Sequence, residues 1–203
     1  MKNNFLNAMQ FRHACKLFDE NKKVAKTDLD FILETGRLSP SSFGVEHWRF
    51  IVVQSADLKK KLKSACYDQP QVGTASAVVV ILGLKEDLKP GSEYIQKMFK
   101  RLQMPEEKYE AMLGFYKFMV DQLDITWWSI SQCHIAGANM MTSAASIGID
   151  SCPIGGYDMK KVKDVLGVDS NKYTVGLIIP FGYRVNEQRG KTRLPIDELV
   201  EYR

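Results

Sequence analysis

Three apolar runs without a formal charge place the strongest constraint on the fold of this chain. They cover residues 50–53, 77–82 and 173–181. The second run, AVVVIL, is apolar at every position, which is typical of a central strand covered on both faces. The sequence therefore predicts a sheet whose middle strand lies inside the protein.

Helical patterns lie between and after these runs. Residues 27–38 repeat their apolar side chains at helical spacing, and Thr27 is a candidate N-cap. Further helices are predicted over residues 56–65 and over residues 158–166, where Asp158 is the candidate N-cap.

Residues 87–123 form an insertion that is helical in pattern and rich in aromatic side chains. Pro105, followed by two glutamates, predicts a helix start, because proline suits the first turn and acids suit its positive end. This insertion is either a lid over a substrate or a plain packing layer.

Residues 127–149 contain no formally charged side chain. A membrane-spanning helix needs about twenty apolar residues, but the polar side chains of this segment are too numerous for lipid contact. The segment therefore predicts a helix buried in the protein interior or at a subunit interface. Gly137 would allow close approach of this helix to its neighbours, and His134 is expected to be a hydrogen-bonded interior histidine.

The composition is that of a soluble globular protein, and one domain over residues 1–203 is the simplest division. The chain is 45% hydrophobic and 26% charged, with a formal net charge of +4. Its lysines are scattered, so we expect no nucleic-acid or membrane partner, while the mild basic excess suits an anionic cofactor or substrate. The four cysteines lack metal-ligand spacing and no signal peptide is recognisable, which predicts no metal site, no disulfide and a cytoplasmic location.

Polar corners rich in turn residues are the first class of candidate functional feature. They cover residues 38–48, 67–73 and 148–157, and the second of them is expected to be a loop. Taken singly, each corner is either a ligand contact or an ordinary connection.

Basic clusters at the two ends of the chain are the second class. The first is expected on a short helix or turn over residues 5–16, where Arg12 and Lys16 would share a face and could hold an anion. The clusters are Arg12, His13 and Lys16 near the start, and Arg189, Lys191 and Arg193 near the end.

The sequence contains no G-x-G-x-x-G, no P-loop and no G-x-S-x-G motif, which argues against the dinucleotide-binding, nucleotide-binding and hydrolase sites that depend on these motifs.

Five short blocks then follow one another along nearly the whole chain. They are RHACKLFD at 12–19, LSPSS at 38–42 continuing to Trp48, DQPQV at 68–72 with the following Ala75-Ser76, PIGGYD at 153–158, and KTRLP at 191–195. In these blocks and their order the chain resembles the FMN-dependent nitroreductase family, which includes flavin and quinone reductases.

The resemblance implies a fold and an assembly. The fold would be α+β, with a central mixed, mainly antiparallel sheet flanked by helices. The assembly would be an intertwined homodimer that holds two FMN sites at its subunit interface.

The resemblance also implies roles around FMN. Arg12, Lys191 and Arg193 would bind the phosphate. Lys16 would lie near N1 and O2 of the flavin, where negative charge develops on reduction. Asp68 and Gln71 would face the pyrimidine edge, and the Gly155 N–H would point toward N5. The implied cofactor-binding residues are Arg12, His13, Ala14, Lys16, Pro40, Ser41, Ser42, Asp68, Gln71, Pro153, Ile154, Gly155, Gly156, Lys191 and Arg193. Three of these, Pro40, Ser41 and Ser42, would come from the partner subunit.

The implied reaction is a ping-pong transfer in which NAD(P)H gives hydride to flavin N5 and leaves. A nitroaromatic, quinone or flavin acceptor is then reduced on the same face, and no acid–base side chain is required, so no catalytic residue is expected. Two alternatives stay open: a same-fold dehydrogenase or flavin-fragmenting enzyme, and a flavin-binding protein without turnover. The candidate substrate-face residues are Phe115, Tyr116, Phe118 and Trp128.

The chain departs from the common family pattern at several of these positions. Ala14 stands where many relatives have Ser, Asp68 replaces a frequent Asn, and Gly155 replaces a Glu of one branch. Residues 44–47 also differ from the common pattern. These differences bear on substrate preference and redox potential.

Overall fold

The computed structural model describes residues 2–203, and its centre is a four-stranded sheet. The strands are β1 (Trp48–Val53), β2 (Ala77–Leu84), β3 (Asp150–Ser151) and β4 (Tyr173–Gly182), in the order β1-β2-β4-β3. All three strand pairs are antiparallel, and a parallel contact is made by the isolated bridge between Ala14 and Ser151. Strand β2 is buried at every position, which confirms the predicted central strand.

Eight α-helices surround the sheet among the described residues. They are α1 (Lys2–Phe11), α2 (Lys26–Arg37), α3 (Ala56–Ala65), α4 (Pro70–Thr74), α5 (Glu93–Lys100), α6 (Glu106–Val120), α7 (Ile125–Ser146) and α8 (Met159–Leu166). Short 3-10 turns lie at Ser42–Gly44, Glu86–Leu88 and Ile196–Glu198. The predicted α+β class is confirmed.

Alternate side chains of β2 and β4 point to opposite faces of the sheet, and each face has its own helical cover. On one face Val79, Ile81 and Ile179 pack against α2 and α7. On the other face Val78 and Val80 pack against residues of α3, α4 and α8. This two-sided cover explains why the strand sequences are apolar throughout instead of alternating.

Helix α7 lies close to the sheet, as the prediction of a buried helix requires. A Cβ added to Gly137 would lie 2.5 Å from Cδ2 of Leu177 on β4, so the helix could not approach this closely with a larger residue. The opposite face of the helix is open in the single chain, where Trp127 and Ile135 are exposed. No helix among residues 2–203 is both long and apolar enough to span a bilayer.

The prediction for His134 is wrong. Its side chain is exposed on α7 and makes no hydrogen bond to any described residue. The interior histidine is His47, which is fully buried in the connection that leads into β1. Helical periodicity could not place His134, because α7 carries polar residues on both its buried and its exposed face.

Local predictions at three other positions are also corrected. Helix α2 begins at Lys26 with Ala25 as N-cap, so Thr27 lies inside the helix and does not cap it. Residues 70–74 form the short helix α4, with Pro70 at its start, which overlaps the segment 67–73 that was expected to be a loop. The first helix ends at Phe11, so Arg12 and Lys16 follow it and do not share a helical face.

The insertion over residues 87–123 builds a third apolar cluster. Residues of α5 and α6, including Ile95, Phe99 and Tyr116, pack with Val45 and Leu84 in its interior. The hydroxyl of Tyr116 donates a 2.6 Å hydrogen bond to the carbonyl oxygen of Leu88. The insertion is therefore fixed to the sheet end as a packing layer, and aromatic side chains remain exposed on its outer surface.

Candidate functional site

The two basic clusters meet in one open cleft of about 630 Å³. One wall is the extended segment after α1, residues 12–17, and the other is the segment after β4, residues 186–193. Arg12, Lys16, Arg189, Lys191 and Arg193 line this cleft, with Glu187 as its acidic member. Two walls from opposite ends of the chain thus bring five cations to one place, where a compact anion would reduce their mutual repulsion.

Lys191 joins the two walls directly. Its ammonium group donates to the carbonyl oxygen of Arg12. Partial burial, and then the nearby positive charges of Arg12 and Arg193, lower the pKa of Lys191. An anion bound in the cleft would stabilise the positive charges of Lys191, Arg12 and Arg193.

His13 lies in the same wall, but it adds little charge at neutral pH. Burial and the neighbouring Arg184 lower its pKa, while the Asp150 carboxylate, 3.6 Å from Nδ1, acts in the opposite direction. The ring is therefore mainly neutral at pH 7, and the cations of the cleft are arginines and lysines.

A second group of polar side chains meets at the sulfur of Cys152, which is fully buried. Lys16 Nζ lies 3.7 Å from this sulfur, and Gln71 Nε2 lies 3.8 Å from it. Because Lys16 also lines the cleft, this junction connects the basic cleft to α4 and to the corner that starts at Pro153. Three predicted site residues, Lys16, Gln71 and Pro153, therefore lie together.

The corner at residues 153–156 also contacts the segment that precedes α4. Gln69 Nε2 donates to the carbonyl oxygen of Gly156 at 2.8 Å. Ile154 is buried, and its N–H donates to Ile178 on β4 at 2.8 Å, whereas Gly155 is exposed. A Cβ added to Gly155 would meet nothing within 4 Å, so this position has room for the larger side chain of one family branch.

Asp68 is exposed beside this corner and has a left-handed backbone, with φ 54°. Tyr67, which precedes it, has φ 53°. Two successive non-glycine residues in this region are uncommon, and such strain concentrates at functional sites.

Pro40, Ser41 and Ser42 lie elsewhere in the single chain. Ser41 Oγ accepts from the Glu46 N–H at 3.0 Å, and the Ser42 N–H donates to Gln132 Oε1 of α7 at 2.9 Å. None of the three lines the basic cleft.

Three of the four predicted aromatic residues surround Phe43, which sequence reasoning did not single out. The ring of Phe43 lies 5.9 Å from Phe115, 5.2 Å from Tyr116 and 6.4 Å from Trp128. Tyr116 is fully buried beneath it, while Phe115 and Phe118 are 54% and 62% exposed. Phe115 is thus the exposed member of this group, Tyr116 supports the ring of Phe43 from inside, and Phe118 is exposed on the same helix α6.

Three further residues were missed because no local signal marks them. Asp150 and Arg184 form an ion pair behind the cleft, and Cys152 lies at the junction described above. No group of three or more His, Cys, Asp or Glu residues able to hold a metal occurs among residues 2–203.

Known proteins resemble this chain over its whole length. The model of the "Nitroreductase family" matches residues 9–183. The chain is 40% identical to "Putative NAD(P)H nitroreductase SH0546" of Staphylococcus haemolyticus, covering 100% of this chain and 98% of that relative. It is also 40% identical to "Putative NAD(P)H nitroreductase YfkO" of Bacillus subtilis, with the same coverage.

Solved structures of similarly named proteins share the fold of this chain. The "putative nitroreductase ydfN" of Bacillus subtilis superimposes with a TM-score of 0.86 at 28% identity, covering 100% of both chains. A "putative NAD(P)H:FMN oxidoreductase" of Staphylococcus epidermidis superimposes with a TM-score of 0.82 at 28% identity, covering 98% of this chain and 96% of that chain. A family match over most of the chain, whole-length relatives and the shared fold lead to one conclusion: this protein belongs to the nitroreductase family.

Proposed function

We propose that this protein is an FMN-dependent NAD(P)H oxidoreductase that reduces nitroaromatic, quinone or flavin acceptors by a ping-pong route. The observation that carries the proposal is the basic cleft that continues into the Lys16–Gln71–Cys152 junction. Membership of the nitroreductase family and relatives named as NAD(P)H nitroreductases support an oxidoreductase.

The residues of the cleft fit the phosphate end of FMN. A phosphate monoester carries a charge of about −1.5 to −2 at pH 7 and three strong acceptor oxygens. Arg12, Lys191 and Arg193 would supply charge-assisted donors to it, and the arginines can do so with two parallel hydrogen bonds.

The residues around Cys152 fit the ring end. Lys16 would place a positive charge at the pyrimidine edge, and Gln71 would offer an amide there, while Asp68 stands at the rim. Pro153, Gly155 and Gly156 are exposed and would offer a surface to a planar ring. Bound FMN would supply the hydride chemistry between NAD(P)H and the acceptor, and the protein would supply binding, orientation and the charge of Lys16.

We propose that the active form is a homodimer in which Pro40, Ser41 and Ser42 reach the FMN of the partner subunit. Two features of the single chain support this assembly. An apolar groove of about 520 Å³ lies between α1, α2 and α7, lined by residues such as Phe5 and Leu38. The segment after β4 also leaves Leu194, Ile196 and Tyr202 exposed, and such apolar surface is typical of an interaction site.

The exposed aromatic side chains of Phe115 and Phe118, together with the nearby Trp128, would meet the acceptor, because flat apolar molecules stack well on aromatic rings.

We propose the cytoplasm as the location of the protein. Its four free, buried cysteines suit a compartment where thiols remain reduced.

The decisive experiment is anaerobic mixing of the FMN-loaded protein with NADH and, separately, with NADPH. We expect at least one donor to bleach the flavin absorbance, and an acceptor such as a quinone to restore it. A flavin that stays oxidised with both donors would favour a flavin-binding protein without turnover. Product analysis under air would reveal a same-fold dehydrogenase or flavin-fragmenting enzyme.

Arg193→Ala should weaken FMN binding by about tenfold or more. The reason is the loss of a charge-assisted hydrogen bond to phosphate, which contributes roughly 1.5–3 kcal/mol. Fluorescence quenching of FMN on titration with apoprotein measures the change. Arg203→Ala is the matched control, because Arg203 pairs with Glu201 in the terminal segment and does not line the cleft. Equal FMN affinity in Arg193→Ala and wild type would remove Arg193 from the phosphate site.

A further inference from the structure

The walls of the basic cleft have no regular secondary structure, yet they carry like charges that repel each other. Residues 12–17 and 186–193 belong to neither a helix nor a named strand. Inside the cleft, one hydrogen bond from Lys191 to the backbone of Arg12 joins the walls. Behind the cleft, one buried carboxylate, that of Asp150, makes contacts on the sides of both walls.

Asp150 binds the C-terminal wall through Arg184. Its Oδ2 accepts from the backbone N–H of Arg184 at 2.9 Å and from Nε at 3.0 Å, while Oδ1 lies 2.6 Å from Nη2. The Asp150 side chain is 3% exposed and that of Arg184 is 22% exposed, so water screens this ion pair weakly.

Arg184 continues the connection into both walls. Its Nη1 donates to Gln188 Oε1 at 3.1 Å, and Gln188 Nε2 donates to the carbonyl oxygen of Gln10 at 2.8 Å. The guanidinium group also lies over the ring of Phe11, 4.1 Å from its centre. The residues that lead into the N-terminal wall are thus fixed against those of the C-terminal wall.

Asp150 also faces the N-terminal wall. His13 Nδ1 lies 3.6 Å from its Oδ1. The neighbouring Ser151 accepts from the Cys15 N–H at 3.1 Å and forms a parallel bridge with Ala14. Strand β3 therefore holds one wall by its backbone and the other by the Asp150 side chain.

We propose that Asp150, acting through Arg184, is a positioning residue for the phosphate end of FMN. It holds Arg12, Lys191 and Arg193 at the separation that one phosphate needs, without touching the cofactor itself. This role rests on the proposed function. It predicts that loss of Asp150 weakens the binding of the phosphate and leaves the binding of the flavin ring unchanged.

FMN and riboflavin differ only in the phosphate, so the ratio of their affinities isolates that end of the site. We expect wild-type protein to bind FMN more tightly than riboflavin. In Asp150→Asn, which keeps the side-chain shape and loses the charge, this preference should fall by about tenfold or more, while riboflavin affinity stays within about twofold. Titration of each apoprotein with both flavins, followed by fluorescence, provides the measurement.

Asp57→Asn is the matched control, since Asp57 is an exposed carboxylate that pairs with Lys61 on α3, and its FMN preference should equal that of wild type. If Asp150→Asn does not fold, Arg184→Lys is the second variant, because lysine keeps the charge but cannot reproduce the forked contact; it should show the same selective loss. An unchanged FMN preference in the folded variant, or an equal loss for both flavins, would overturn the positioning role. Wild-type protein that binds neither flavin would overturn the proposed function itself.

Discussion

Replacing Gly176 with alanine should lower the free energy of unfolding by about 3 kcal/mol, because β4 and α7 meet there without room for a Cβ. An added Cβ would lie 2.5 Å from Cβ of Cys133 and 3.1 Å from the backbone oxygen of Ile81. Neither atom can turn away, since one is fixed to a helix backbone and the other belongs to the central strand. Denaturant unfolding followed by circular dichroism measures the change.

Gly114→Ala is the matched control for this substitution. Gly114 lies within α6, and a Cβ there would meet nothing within 4 Å. Alanine should stabilise that helix by about 0.5–1 kcal/mol, because glycine is a poor helix former. In the Gly176→Ala background, Cys133→Gly should recover part of the loss. Gly176→Ala with wild-type stability would contradict the close packing of β4 against α7.

The protein should lose stability as the pH falls from 6.5 to 4, and His47 should account for about 3 kcal/mol of this loss. His47 is fully buried, neither ring nitrogen has a hydrogen-bond partner among the described residues, and Trp128 packs edge-on at 4.4 Å. Burial lowers its pKa from 6.5 to about 4. The unfolded chain therefore takes up a proton first, which draws the equilibrium toward unfolding below pH 6.5.

His47→Leu isolates this contribution, because leucine has a similar volume and cannot be protonated. With a pKa of about 4 in the folded state, wild type should lose about 1.4 kcal/mol from this residue at pH 5.5 and about 3 kcal/mol at pH 4. Denaturant unfolding at pH 7.5, 5.5 and 4 tests this, with exposed His134→Gln as the control. Parallel pH profiles of wild type and His47→Leu would show that His47 titrates normally.

Much of the fold could be predicted from local patterns. The three apolar runs became β1, β2 and β4, and the helix boundaries over residues 56–65 and 158–166 lie within one residue of the prediction. Those elements repeat their apolar residues with the period of the structure that they form. The errors at Thr27 and residues 67–73 involve single turns, where one hydrogen bond decides between helix and loop.

The candidate site was less accessible to sequence reasoning. The basic residues could be identified individually, and the family resemblance grouped them, but no spacing rule joins Arg12 to Lys191. Asp150, Arg184 and Cys152 remained unnoticed because their importance lies in what they contact. Phe43 also escaped notice, because its left-handed backbone, with φ 57°, has no signature in the sequence.

The sequence by itself determined the buried central strand, the uncharged helix behind it and the supply of cations at both chain ends. These follow from periodicity and composition, which act over a few residues. Only the tertiary structure decided that the ends form one cleft, that His47 and not His134 is buried, and that α7 touches β4 through glycines. Each of these depends on contacts between residues far apart in the chain, where packing and desolvation, and not local propensity, set the outcome.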